Sequence, residues 1–210
     1  MSTRLTVEID PGPLERTRAD VVVFHFFDRD RPLRSGAGRV DWRLCGQLSR
    51  LLVAGKLSGA SGEAVLLQSG GGLAAPLAIG LGLGARNAFD AEACEALGAE
   101  AARRALYLGA RTLALPLPDP HAGDLELSDR IEALVAGAAT AVAELAADLL
   151  LRLIPPRAEV ARARQATAAL ASKPCPPSVA LWLEGMGRAS DLSGPRGASE
   201  RPTGRSQLVK

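Results

Sequence analysis

The side chains best suited to chemistry near neutral pH are few here: two histidines and three cysteines in 210 residues. Asp119, His121 and Asp124 stand together in a proline-rich stretch. An imidazole among carboxylates can act as an acid/base pair or as half of a metal site. No nucleophile and no third ligand accompanies this group, so the stretch reads as a polar loop. His25 falls inside the apolar run Val21 to Phe27 and reads as a strand residue facing a core. Cys45, Cys94 and Cys175 are odd in number and share no C-x-x-C spacing. That argues against a disulfide framework or a zinc site and for a reducing compartment, the cytoplasm. Cys45 and Cys94 lie at helical positions as small packed side chains, whereas Cys175, between prolines, is the thiol expected to react most readily. These residues predict no catalytic group, no metal ligand and no cofactor.

Two glycine clusters are the remaining loops able to hold a ligand through backbone N–H groups: Ser69-Gly70-Gly71-Gly72 and Gly80-Leu-Gly82-Leu-Gly84. The second follows a strand signal and precedes a helix signal, as a phosphate loop would. Its spacing is neither G-x-G-x-x-G nor G-x-x-x-x-G-K-[ST], and no acid follows about 20 residues on. A tight turn and a close strand exit are the simpler readings. Arginines cluster at Arg29, Arg31, Arg34 and Arg39, with Arg103, Arg104 and Arg111 further on. Asp28 and Asp30 interrupt the first group, no aromatic side chains interleave it, and it fits no DNA-docking motif, so a nucleic-acid partner is not the expected one.

The elements that must carry these residues alternate between strand and helix. Leu5–Ile9 alternates apolar and polar residues, and Val21–Phe27 is a continuous apolar run of the kind buried on both faces. Val40, Leu44, Leu48, Leu51 and Leu52 recur at helical spacing up to Gly55. Residues 63–68 and 76–81 read as strands joined by the triple glycine. Asp90 caps a helix that runs to Gly109, residues 112–117 form a buried strand, 127–145 an amphipathic helix and 148–154 another strand. This order predicts an α/β protein, a three-layer α/β/α sandwich whose mostly parallel mixed sheet is covered on both faces. Residues 157–172 are helix-prone, Lys173–Pro177 breaks them, and 178–183 can add an edge strand on which Trp182 docks.

Composition sets the boundaries. The formal net charge is +2. From Gly187 to Lys210 five basic residues face two acids, and the stretch is rich in Gly, Ser, Pro and Arg. The expected organisation is a domain over 1–155, a helix-prone and Pro-rich extension over 156–186, and a disordered basic tail over 187–210. The longest apolar stretch, 133–151, is mostly alanine and is interrupted by Glu144 and Asp148, so no membrane span is expected. No signal-peptide pattern opens the chain.

Five short strings, in order, give the sequence a resemblance: Ala19-Asp20-Val-Val-Val, Gly55-Lys56-Leu-Ser-Gly59, Gly62-Glu63-Ala-Val-Leu-Leu, Ile79-Gly-Leu-Gly-Leu-Gly84 and Leu108-Gly-Ala-Arg-Thr-Leu113. The chain resembles the N-terminal domain of the M17 leucine aminopeptidase, or cytosol aminopeptidase, family. The resemblance covers about residues 20–118, and more loosely 127–154. It implies a macro-domain-like fold. In that family two metal ions, held by carboxylates and a lysine in a larger C-terminal domain, do the chemistry. Its block N-T-D-A-E-G-R has no counterpart here, and Leu183-Glu-Gly-Met-Gly-Arg188 shares only a fragment of it. The expectation is a non-catalytic binding, regulatory or assembly module with a protein partner or self-association. The alternatives are a module for a nucleotide or ADP-ribose-like ligand at the glycine loops, Gly70, Gly71, Gly72, Gly80, Gly82 and Gly84, or an accessory subunit of a separately encoded metallo-aminopeptidase.

Overall fold

The computed structural model describes residues 3–120, 122–173, 175–183 and 187–188. Within them the strands are β1 (Thr3–Ile9), β2 (Val21–Phe26), β3 (Ala64–Gln68), β4 (Leu77–Gly82), β5 (Thr112–Pro116), β6 (Leu149–Ile154), β7 (Val179–Leu183) and the two-residue β8 (Gly187–Arg188). The α-helices are α1 (Ser35–Arg43), α2 (Gln47–Val53), α3 (Ala91–Tyr107), α4 (Leu127–Leu145) and α5 (Val160–Ala169). All eight strands form one sheet in the order β3-β4-β2-β5-β6-β1-β7-β8. The six central strands are parallel, and only the pairs β3/β4 and β7/β8 are antiparallel. The mostly parallel mixed sheet expected from the sequence is therefore present.

The elements form where local chemistry favours them. The Asp90 carboxylate accepts from the backbone N–H of Ala93 and caps α3. Asp20 fastens the start of β2 to β5: its carboxylate accepts from the N–H groups of Arg111 and Thr112, and these bonds, led by Arg111, hold the carboxyl below its ordinary value against a small burial cost. The helix expected across Val40 to Leu52 is instead two. Cys45 and Gly46 adopt left-handed backbone, with φ of 55° and 75°. The buried Asp41 of α1 then reaches across the break and accepts from the N–H groups of Leu48 and Ser49, capping α2. The apolar spacing continues through the break, so periodicity alone conceals it.

Two cores flank the sheet. Helices α3, α4 and α5 cover one face, packing on Leu5, Val7, Leu113, Leu115, Leu151, Leu153, Leu181 and Leu183. Gly98 of α3 and Gly137 of α4 let those two helices approach backbone to backbone. On the other face α1 and α2 pack on Val22, Phe24, Phe26, Ala78 and Ala114. The expected break at residue 155 does not interrupt the packing: α5 and β7 belong to the first core, and β7 is a parallel neighbour of β1. Both faces are covered most fully at β4, β2 and β5 and at the end of β6, where Ile154 joins the second core. Along β6, β1 and β7 burial alternates: on the α1 side Ile154 is buried, Arg4 is exposed, and Thr6, Glu8, Leu150, Arg152, Ala180 and Trp182 are half-buried. Residues 189–210, most of the stretch expected to be a tail, lie outside the described residues.

Candidate functional site

In an open parallel sheet the crevice outside the carboxyl ends of the strands is the natural ligand position. Here that crevice lies beyond β2, β5 and β6 and has a volume of about 150 Å3. Its walls are His25 and Phe27 at the end of β2, Pro116 and Asp119 after β5, Ile154 to Pro156 after β6, and Arg34 to Ala37 at the start of α1. The α1 N-terminus has no side-chain cap, so its first N–H groups are open to an acceptor in the crevice.

Arg86, in the short 3-10 turn Arg86–Ala88 after β4, spans this crevice. Its Nη2 donates to Asp30 Oδ1 at 3.0 Å and to Oδ2 at 3.1 Å, and its Nη1 donates to Asp119 Oδ2 at 3.0 Å. The guanidinium also lies 4.3 Å from the centre of the Phe27 ring. Burial works against its charge, but the carboxylates of Asp30 and Asp119 outweigh that and raise its pKa. Phe27 in turn meets Phe89 edge to face at 5.5 Å. The result is a latch joining the loop after β2 to the loop after β5.

His25, read from the sequence as a core residue, lines the crevice beside this latch. Its Nε2 is 3.2 Å from the Pro116 carbonyl oxygen, which requires the proton on Nε2 and leaves Nδ1 as the acceptor. Burial pushes its pKa down more strongly than the Pro116 carbonyl and the Asp119 and Asp30 charges pull it up. Beneath the crevice, the buried Arg130 donates to the Pro118 carbonyl at 2.7 Å and holds the strand-to-helix loop that carries Asp119.

The other sequence candidates are placed differently. Asp119 belongs to the Arg86 latch, and His121 lies outside the described residues. Among the described residues no group of three or more His, Cys, Asp or Glu could hold a metal ion. Cys45 is exposed at the break between α1 and α2, whereas Cys175 is partly buried and burial raises its thiol pKa, so the most accessible thiol is Cys45 and not Cys175. The buried Cys94 thiol is pushed up to about 12, chiefly by burial and slightly countered by Arg130.

None of the six glycines lines the crevice, although the Gly84 carbonyl accepts from the Asp28 N–H beside its wall. Gly70 and Gly71 form the turn between β3 and β4 with positive φ, and the N–H of Gly72 donates to the Ser69 carbonyl. Gly80 sits in the ladder, where a Cβ would meet the Phe24 ring at 2.7 Å. The N–H groups of Gly82, Leu83 and Gly84 donate to the carbonyls of Glu63, Phe26 and Gly59. A larger hollow of about 550 Å3 between this loop and α3 is lined by Leu81, Leu83, Ala96, Glu100 and Arg103. Its charges are already matched: Glu63 accepts from the N–H groups of Ser58 and Gly59, and Arg103 pairs with Glu100 and Glu144. Of the arginines considered for nucleic acid, Arg39 pairs with Glu15 and Arg31 donates to the Leu52 carbonyl, whereas the Arg29 side chain is exposed.

This mostly parallel sheet, with a crevice at the carboxyl ends of its middle strands, has a macrodomain-like fold. Solved structures agree on the fold. The chain is 16% identical to the macrodomain of Mycobacterium tuberculosis DarG, with a TM-score of 0.56, over 71% of this chain and 97% of that one. It is 15% identical to a Trypanosoma brucei macrodomain in complex with ADP, with a TM-score of 0.59, over 77% and 68%. The family model of the cytosol aminopeptidase N-terminal domain matches residues 21–144, and the chain belongs to that family. A mutant of tomato leucine aminopeptidase is 18% identical, with a TM-score of 0.60, over 81% of this chain. The match spans 38% of the tomato protein's length. No curated protein sequence matches.

Proposed function

We propose that this chain is a non-catalytic member of the aminopeptidase N-terminal-domain family that works as a binding and assembly module. One observation carries the reading: the crevice that Arg86, held by Asp30 and Asp119, helps to line has a volume of only about 150 Å3. Pockets for drug-sized ligands run to roughly 300–1,000 Å3, so this crevice is small for a nucleotide. The groups that line the crevice include a neutral imidazole, the Asp30 and Asp119 carboxylates already held by Arg86, and the Ser35 hydroxyl at the start of α1. Membership in a family through this domain transfers fold and not activity.

Two measurements test the reading. Purified protein, freed of host aminopeptidase, is assayed with leucine p-nitroanilide with and without manganese or zinc, and no turnover is expected. Turnover that follows this chain through chromatography, is lost with a chelator and returns with metal overturns it. Calorimetry with ADP-ribose is expected to show no micromolar binding. Micromolar binding that is lost in Arg34→Glu would instead favour a second reading, a phosphate-bearing ligand at the open N-terminus of α1. The observation in favour of that reading is the cap-free helix start beside Arg34.

A further inference from the structure

His25 and Arg86 stand among the same two carboxylates. Both side chains line the crevice, as do Asp30 and Asp119. One end of the ring is fixed, because Nε2 donates to the Pro116 carbonyl three residues before Asp119, and Nδ1 is left as an acceptor. Arg86 already holds both carboxylates, with Nη2 on the two oxygens of Asp30 and Nη1 on Asp119 Oδ2. A second proton on the ring turns Nδ1 into a donor that needs an acceptor of its own. Along the crevice wall the side chains able to accept from it are Asp30, Asp119 and the Ser35 hydroxyl. Burial weakens the ring's hold on that proton most, the Pro116 carbonyl and then the charges of Asp119 and Asp30 strengthen it, and the Arg86 charge weakens it.

We infer that the Arg86 latch and a second proton on His25 are alternatives, so that acid releases the loop after β5 from Arg86 by moving the Asp119 carboxylate onto the ring. Nδ1 takes its proton from solvent, Asp119 stays ionised, and only hydrogen bonds change hands. Asp119 is the carboxylate that moves. Arg86 holds it through one contact against two on Asp30, and its charge acts on the ring more strongly than that of Asp30. The other charges facing the crevice do not take this part. Arg34 and Arg39 line it from α1, and Arg39 is paired with Glu15. The segment after β6 brings Ile154, Pro155 and Pro156, and the ladder neighbour of His25 on β4 is Leu81, all uncharged. Coupling between the two events is reciprocal: as the engaged Arg86 disfavours the proton, the proton disfavours the engaged Arg86 by the same factor. A ring that binds its proton about tenfold more tightly once Asp119 is released shifts the balance of released to closed latch about tenfold between neutral and acid pH.

Two sets of NMR signals from the full chain test the exchange. The first is the His25 imidazole, told from His121 by its loss in His25→Gln. The second is the pair of Arg86 Nη nitrogens, assigned by their loss in Arg86→Lys. While Nη1 and Nη2 are held by different carboxylates, rotation about Cζ–Nε is hindered and the two nitrogens give separate signals; release merges them. As the pH is lowered, His25 should titrate below its ordinary value of about 6.5, and the Nη signals should merge with the same midpoint. Arg86→Met should make the ring hold its proton about tenfold more tightly, and Asp119→Asn about tenfold less tightly. In His25→Gln the Nη signals should stay separate down to about pH 5, where the carboxylates are still ionised. Separate Nη signals throughout the His25 titration, a His25 midpoint that Arg86→Met leaves in place, or a ring still neutral at about pH 4.5 each overturn the inference. Merging that persists unchanged in His25→Gln overturns it in favour of protonation of the carboxylates themselves.

Discussion

Gly98 and Leu134 meet so closely that a Cβ on Gly98 would lie 2.2 Å from the Leu134 carbonyl oxygen. Across the same seam, a Cβ on Gly137 would lie 2.0 Å from the Glu95 carbonyl oxygen. Replacing a glycine by alanine inside a helix ordinarily stabilises by about 1 kcal/mol. Here the sign should reverse, because backbone would have to move: Gly98→Ala and Gly137→Ala should each cost about 2–3 kcal/mol in urea denaturation. A neutral or stabilising alanine would show that α3 and α4 do not pack backbone to backbone.

Removing Arg86 should cost more than removing an ordinary surface arginine. Arg86→Ala leaves the Asp30 and Asp119 carboxylates facing the crevice without the cation that joins them. The side chains are 17–33% exposed, so solvent screens part of the loss and about 1–2 kcal/mol is expected. Arg86→Lys should recover little, since one ammonium cannot hold both Asp30 oxygens and reach Asp119 as the planar fork does. Denaturant midpoints of the two variants measure both effects.

Stability should fall as the pH drops below about 6.5, with His25 as the cause. Its folded-state pKa lies below the ordinary 6.5, because burial disfavours the charged ring. The unfolded chain therefore takes up this proton first, and the stability His25 contributes is complete above its unfolded value and is lost as the pH falls through its folded one. His25→Gln, which keeps a donor for the Pro116 carbonyl, should flatten the profile between pH 7 and 5. An unchanged slope in that variant would assign the effect to another group.

Thiol labelling should rank Cys45 first, Cys175 second and Cys94 last. Cys45 is exposed, while burial holds the Cys94 thiol at about 12. Mass spectrometry after brief maleimide treatment should find Cys94 modified only once denaturant is added. Cys94 reacting at the rate of Cys45 would mean that α3 opens readily.

Much of the fold was legible because it is written locally. The unbroken run Val21–Phe26 announced a strand buried on both faces, and Asp90 ahead of Ala91 announced a capped helix. The site was not legible for the opposite reason. Arg86 is separated from Asp30 by 56 residues and from Asp119 by 33, so neither periodicity nor spacing connects them. His25 looked like core because its neighbours in the run are core. The one signal available was topological: Phe27, Asp30 and Asp119 follow strands that end side by side. The glycines drew notice by their composition, yet the N–H groups of Gly82 and Gly84 are already taken by carbonyls.

The place of β1 between β6 and β7 has a consequence for how the protein is made. Both neighbours of the first strand come from near the other end of the described chain, with Leu5 pairing with Leu149 on one side and Leu181 on the other. During synthesis the ribosome releases β1 well before either of its partners. Until about residue 154 has emerged the opening strand has no ladder to join, and until about residue 183 it remains a sheet edge. The apolar side of β1, Leu5, Val7 and Ile9, waits all that time for α4 and α5. Nascent chains halted before residue 149 should therefore hold an unpaired, aggregation-prone N-terminus, a natural client for a chaperone at the exit tunnel.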